Sequence, residues 1–340
     1  MIKVSVVIPN LNGMEYLNDC LTSLMGQEGA QAQVILVDNG SADESVAFVR
    51  ERFPQVQLEV FPENRGFCEA VNAGIRLTKT EYVILLNNDT VCDPHFVREL
   101  VEGMRSHPDA FSCQAGMRML SEPDRMDDAG DYYCALGWAF ALGKGQAAEK
   151  YRRERRIFSA CAGAAIYRMS ALRQTGLFDP QHFAYLEDLD IGWRARILGY
   201  KNYFIPQAIV YHAGSGTSGS RYNAFKVRHS ARNSVYVIRK NMPVWQILLN
   251  LPMLAAGFAV KTVFFARKGL GGVYVKGLLE GLRMKKSGIA ALAFGQPGSA
   301  EEGKQTERRA VLLFSGTAAV YVRLQLEMWH NLMRRLCDRG

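Results

Sequence analysis

The chain has no CxxC pair, no Walker A sequence, no GxGxxG after a strand and no recognised nucleic-acid module. Its seven cysteines, Cys20, Cys68, Cys92, Cys113, Cys134, Cys161 and Cys337, are odd in number and scattered. That argues against a disulfide framework and reads as reduced thiols in a cytosolic chain. The missing glycine-rich fingerprints exclude the usual P-loop and dinucleotide sites. The first residues run directly into a strand-like stretch, without a charged leader and apolar segment, so no signal peptide is expected. The longest apolar run, Trp245 to Val260, is interrupted by Pro252 and falls short of the roughly 20 residues a spanning helix prefers.

What is present describes a folded protein. The 340 residues are 48% hydrophobic and 22% charged, enough for one domain plus an appendage. The net charge of +8 favours anionic partners: phosphate-bearing substrates, nucleic acid or a membrane surface. Tyr82 to Leu86 reads as a fully buried parallel strand, and it ends in Asn87, Asn88 and Asp89. Open α/β sheets bind ligands at the carboxyl ends of their strands. Oxygen side chains there suit a hard divalent cation that bridges phosphates; an Asx turn that merely ends the strand is the plainer alternative.

In chain order, Ile2 to Ile8 is a strand halted by Pro9, and Met14 to Met25 a helix for which Asn12 is a cap. Val34 to Val37 is a second strand, followed by a turn from Asp38 to Asp43 and a helix over Glu44 to Arg52. Leu58 to Phe61 is a short strand, and a helix from Cys68 to Leu77 precedes the strand at Tyr82. This alternation marks a parallel sheet with crossover helices. Asp38, at a strand end, suits a nucleobase or ribose as well as it suits a helix cap. Arg65 and Gly66 suit a phosphate or an ordinary turn. Phe96 to Met104 reads as a helix and Ala110 to Met119 as a strand, while Ser121 to Asp131 is acidic and turn-rich. Tyr151 to Arg156 is a basic run, either a solvated face or a grip on phosphates. Glu187, Asp188 and Asp190 crowd three carboxylates at the start of a helix, a cluster that a cation, a proton or an arginine would relieve. Ala208 to His212 is an apolar segment ending in a histidine before a Gly/Ser-rich loop.

The ordered set IPNLN, VDNGSAD, NRGF, LLNND, FAYLEDLD and VYHAGSGTSG, spanning about residues 3–241, resembles glycosyltransferase family 2, the inverting enzymes of GT-A fold, and within it bacterial rhamnosyltransferase-like members. The resemblance implies an α/β fold in which a nucleotide-binding sheet merges with an acceptor-binding half over residues 1–240, followed by a helical extension over 241–340. It implies a base pocket lined by Pro9, Asn10 and Asn12, with Asp38 at base or ribose, Arg65 near the nucleotide, and Asn87 and Asn88 beside it. Asp89 corresponds to the last acid of the family's DxD motif and His212 to a histidine that completes the metal site, which would hold Mg2+ or Mn2+. Because the first DxD position is Asn87, cation binding is expected to depend on the nucleotide. Asp188 matches the catalytic base. Glu187, Arg228, Arg232 and Asn233 match positions near the acceptor or diphosphate, although the last three also read as a basic helix surface.

The implied partners are a nucleotide-diphosphate sugar and a glycan or polyprenyl-diphosphate-linked acceptor, with deoxythymidine diphosphate rhamnose as donor and uridine diphosphate sugars as its rival. A sugar nucleotidyltransferase lacks support because IPNLNGMEY has no glycine-rich signature. Nucleic-acid binding conflicts with the acidic cluster at Glu187 to Asp190. In the last hundred residues, Trp245 to Val260 reads as an interfacial helix pair, with Arg267, Lys268, Lys276, Arg283, Lys285 and Lys286 facing anionic head groups on the inner face of the plasma membrane. Burial against the catalytic half or in a homodimer is the competing reading. Gln296 to Gln305 reads as a linker and Val311 to Leu336 as an amphipathic helix.

Overall fold

The computed structural model describes residues 2–214, 222–287 and 318–337. Its first part alternates strand and helix: β1 (Ile2–Asn10), α1 (Met14–Met25), β2 (Ala30–Asp38), α2 (Ser45–Arg52), β3 (Gln57–Val60), α3 (Phe67–Leu77) and β4 (Tyr82–Leu86). Then come β5 (Thr90–Cys92), α4 (Phe96–Ser106), β6 (Ala110–Met119), β7 (Met126–Asp128), β8 (Asp131–Cys134), β9 (Trp138–Ala141), β10 (Arg155–Ile157) and β11 (Ala164–Arg168). The rest is α5 (Met169–Thr175), α6 (Glu187–Ile197), β12 (Lys201–His212), α7 (Ala224–Asn241), α8 (Val244–Ala266), α9 (Gly271–Arg283) and α10 (Ala318–Cys337).

One sheet runs in the order β10-β12-β6-β11-β4-β1-β2-β3, with β5 paired to β12 and β7 to β6. The pairs among β4, β1, β2 and β3 are parallel, as apolar strands joined by crossover helices require. β11 is antiparallel to both β4 and β6, and so joins the parallel part to the rest. Alternate side chains of β1 enter the cores on the sheet's two faces, Val4, Val6 and Ile8 on one and Val7 on the other.

Four details differ from the sequence expectations. Pro9 does not halt β1, which continues to Asn10 in register with Asp38. Pairing with β4 ends at Val7, so Pro9 is flanked on one side only. Asn12 does not cap α1. The N-cap is Gly13, and Asn12, itself at φ 51, accepts from the Ala42 amide at 2.7 Å. The turn-rich segment before Asp131 contains β7, paired with β6. α8 is one 23-residue helix that runs through Pro252 rather than a broken pair. The linker expected at 296–305 and the start of the helix expected at 311 lie outside the described residues.

Candidate active site

The parallel strands β1, β2 and β4 end along one edge of the sheet, and a cavity of about 950 Å³ opens there. Pro9, Asn10, Asn87, Asn88, Asp89, Glu187, Asp188 and His212 share its wall. Asn10 is a buried hub: its Nδ2 donates to Asp38 Oδ2 at 2.9 Å, and its Oδ1 accepts from Asn88 Nδ2 at 2.7 Å. Gly13 permits this approach, since a Cβ there would lie 1.9 Å from Asn88 Nδ2.

Asp38 itself is buried and also accepts from the Ser41 amide at 2.9 Å and hydroxyl at 2.6 Å, so it reaches the cavity only through Asn10. Asn12 also turns away from the cavity, toward Ala42. Arg65 stacks its guanidinium over Phe61 at 4.8 Å and lies off the wall as well. The side chain that shapes this corner is Asn39, unremarked in the sequence. It donates to Asn64 Oδ1 at 3.0 Å and to the Gly66 carbonyl at 3.2 Å, and it accepts from the Arg65 amide at 2.8 Å.

Asp89 and His212 meet because β5 and β12 pair antiparallel, with His212 opposite Thr90. His212 Nε2 lies 3.2 Å from Asp89 Oδ1, and its Nδ1 lies 2.9 Å from Asp127 Oδ2. This donor set fits a divalent cation. A carboxylate oxygen and an imidazole nitrogen face one point at the cavity, and a second carboxylate holds the other ring nitrogen, as outer partners of metal-bound histidines do. Without a metal, burial disfavours the imidazolium, but the bonds to Asp127 and Asp89 outweigh it and lift His212 to about 9. Burial would raise the Asp127 carboxyl, yet His212 and Lys144 together hold it below the usual range. Asp127 was hidden among four nearby aspartates, and only the β6–β7 pairing selects it.

Also lining the cavity, Glu187 and Asp188 occupy the first turn of α6. Burial, and then the charge of Asp188, push Glu187 up to about 8, and its Oε2 is buried with no hydrogen-bond partner among the described residues, as suits a protonated acid. Burial lifts Asp188 to about 6, and its Oδ1 accepts from the Leu189 amide at 2.7 Å. Asp131, also on the cavity wall, is raised well above its ordinary value by burial and by Asp188.

Asp190 belongs to another group. With Asp179 and His182 it forms a buried cluster with the spacing of a metal site, but the Lys240 ammonium already lies 2.7 Å from Asp179 Oδ2 and 2.8 Å from Asp190 Oδ2. Arg194 Nε adds a contact to Asp190 at 3.1 Å. These cations relieve the repulsion, so the cluster ties α6 to α7. Arg228, Arg232 and Asn233 are off the cavity wall. Arg228 pairs with Glu280 on the outer face at 2.8 Å, while Arg232 and Asn233 bond backbone carbonyls ahead of α6.

Comparison with known proteins shows the family and the fold. The family model for glycosyl transferase family 2 matches residues 5–176. The chain is 24% identical over 280 residues to the N-acetylglucosaminyl-diphospho-decaprenol L-rhamnosyltransferase of Mycobacterium tuberculosis, covering 75% of this chain and 90% of that one. It is 23% identical over 213 residues to the poly-beta-1,6-N-acetyl-D-glucosamine synthase of Staphylococcus epidermidis, covering 61% of this chain and 49% of the synthase. The chain thus spans about half the length of that relative. Among solved structures, the mannosyltransferase of Pyrobaculum calidifontis with GDP-Man and Mn2+ superposes with a TM-score of 0.53 at 14% identity, over 99% of this chain and 88% of that one. The fold is therefore the GT-A fold with a helical C-terminal region.

Proposed function

Because the chain belongs to glycosyl transferase family 2, we propose that it moves a sugar, with rhamnose as the first candidate, from a nucleoside-diphosphate donor to a hydroxyl of a glycan or lipid-linked acceptor, inverting the anomeric centre. One observation carries the reading: Asp89 and His212 Nε2 converge 3.2 Å apart on the wall of a cavity that Asp188 also lines. Mg2+ or Mn2+ held by Asp89 and His212 would stabilise charge on the departing diphosphate. Asp127 fixes the His212 tautomer through Nδ1. Asn10 and Asn39 hold the strand ends against the nucleoside, and Lys226 on the wall adds a cation for phosphate oxygens.

Asp188 takes the proton of the acceptor hydroxyl as that oxygen attacks the anomeric carbon from the face opposite the diphosphate. The new C–O bond forms while the bond to the phosphate oxygen breaks, and the electron pair leaves on the nucleoside diphosphate. Glu187, buried and protonated near neutral pH, keeps a second negative charge away from Asp188.

A lipid-linked acceptor is supported by the C-terminal helices, which bury some polar side chains while leaving large apolar ones exposed. Gln246 and Asn250 of α8 are buried, with Asn250 bonded to Gln325 of α10 at 2.7 Å, whereas Leu248 and Leu326 are 63% and 59% exposed. α8 is long and apolar enough to cross a membrane, but a Cβ on Gly257 would lie 2.1 Å from the Leu136 carbonyl, so its middle is fastened to the catalytic half. A helix held in this way lies along the cytoplasmic face of a membrane rather than through it.

The test is release of nucleoside diphosphate from dTDP-, UDP- and GDP-sugars, with and without Mg2+ or Mn2+, and with membrane extract as acceptor source. Metal-dependent release from one donor is expected. No turnover of any donor, with no shift of melting temperature by any nucleoside diphosphate, sinks the reading.

A further inference from the structure

The transfer reading gives Asp188 a role but leaves unexplained the backbone that precedes it. Pro180–His182 make one 3-10 turn, after which Phe183 stands at φ 61 and ψ −61. The Ala184 amide donates back to the His182 carbonyl at 2.7 Å, closing a three-residue turn of the form that non-glycine residues rarely adopt. Tyr185 at φ 72 and Leu186 at φ 65 follow, so three of the four residues from Phe183 to Leu186 have positive φ. A run of this kind persists only where its surroundings over-determine it.

The surroundings come from two sides. Asn233 of α7 is wholly buried, and its Nδ2 reaches the carbonyls of His182 at 3.0 Å, Ala184 at 2.9 Å and Tyr185 at 2.7 Å. Arg232 Nη2 donates to the carbonyls of Gln181 at 3.0 Å and His182 at 2.7 Å. Arg232 Nε donates to Asn233 Oδ1 at 2.9 Å, which decides which end of the amide faces the turn. On the other side, a Cβ on Gly66 would fall 2.7 Å from the Phe183 ring and 2.8 Å from its carbonyl. α7 is itself held, since a Cβ on Gly281 of α9 would lie 2.3 Å from the Arg232 carbonyl. The amide nitrogen and the guanidinium can each serve more than one carbonyl, because they supply donors without a competing acceptor at the same atom.

We propose that Asn233, oriented by Arg232, is a positioning residue for the transfer: it holds the 182–186 turn in its left-handed form and so aims the Asp188 carboxyl into the cavity. The inference rests on the reading of Asp188 as base. Asn233 touches neither the cavity nor any residue assigned to the donor. It acts through the backbone of the turn. The titratable groups that face Asp188 are Glu187 on its own helix, Cys68 of α3, Asp128 and Asp131 from the β7–β8 segment, and Cys161 and Tyr167 from the stretch leading through β11. Loosening the turn would let water in among them.

The full chain is compared with Asn233→Ala, Asn233→Asp and Arg232→Lys, using the donor the native chain turns over. The readouts are kcat, donor KM, the pH profile of kcat, nucleoside-diphosphate affinity and melting temperature. In both Asn233 variants kcat is expected to fall by about tenfold or more, with donor KM and nucleoside-diphosphate affinity within about twofold of native. The acid limb of kcat is expected to move to lower pH as Asp188 gains solvent. Arg232→Lys, which keeps a cation but loses the bond that orients the amide, gives a smaller change in the same direction.

A merely structural role would lower the melting temperature and the active fraction and leave the acid limb unmoved; that result overturns the inference, as does a native kcat. If the Asn233 variants do not fold, Arg232→Lys decides by the same two readouts. Asp188→Asn separates the two levels. Native turnover in that variant removes the base reading, whereas an inactive Asp188→Asn beside a native Asn233→Ala removes only the role of Asn233.

Discussion

Asp188 and His212 each stand in a setting that alters their chemistry. Burial lifts the Asp188 carboxyl to about 6, and a carboxyl can accept the acceptor's proton only when it has lost its own. The rate is therefore expected to rise as pH increases through about 6, the acid limb of a kcat profile; a profile flat down to the ordinary carboxylate range would contradict this. His212 is held by Asp127 on the nitrogen that faces away from Asp89. Asp127→Ala removes that acceptor, and the Mn2+ concentration for half-maximal rate is expected to rise by about 10- to 100-fold, the usual effect of losing an outer partner of a metal ligand. An unchanged metal requirement would remove Asp127 from the site. Neither Asp127 nor Asn39 was legible in the sequence. Asp89 and His212 stand out there as polar groups closing apolar runs and Asp188 as one of three carboxylates crowded at a helix start, whereas Asp127 is one of several acids in a stretch without periodicity.

The buried strand β4 and the amphipathic helix α1 were readable to the residue. β4 has every side chain inside, and α1 keeps Leu17, Leu21 and Leu24 on one buried face, so period and length alone located them. Where the outcome depends on a partner element, local pattern misled. Pro9 stays in β1 because β4 pairs no further than Val7, and Pro252 stays in α8 on a side facing away from the protein. The turn at 182–186 has no sequence mark at all, since its left-handed residues are Phe, Tyr and Leu and its restraint arrives from α7. At the junction of β1 and α1, Gly13 is the element-level requirement. Gly13→Ala drives a methyl into the Asn10–Asn88 bond, with a loss expected at about 1–3 kcal/mol of stability and weaker nucleoside-diphosphate binding. A thermal melt and a nucleotide titration check both; native values would mean that the Asn10–Asn88 bond does not shape the pocket.

The whole molecule pairs an acidic, metal-competent cavity with a basic, apolar exterior. Over α8, α9 and the residues to Ser287, Lys261, Arg267, Lys268, Lys276, Arg283, Lys285 and Lys286 face a single acid, Glu280, and the exposed side chains among them include Trp245, Leu249, Val263 and Leu279. The full chain is expected to sediment with vesicles of anionic lipid, to be partly released by high salt, and to lose retention on Leu248→Glu with Leu249→Glu. A monodisperse chain indifferent to vesicles, or a dimer that covers the same face, would contradict the membrane reading and leave the cavity's chemistry untouched. That chemistry is the central claim, and one comparison tests it most directly: metal-dependent release of nucleoside diphosphate by the native chain, by Asp188→Asn and by Asp89→Ala. Release is expected to fall by about 10²- to 10⁴-fold in Asp188→Asn with nucleoside-diphosphate binding retained, and Asp89→Ala is expected to lose its response to metal. Native turnover in Asp188→Asn, or an undiminished metal response in Asp89→Ala, would contradict the account.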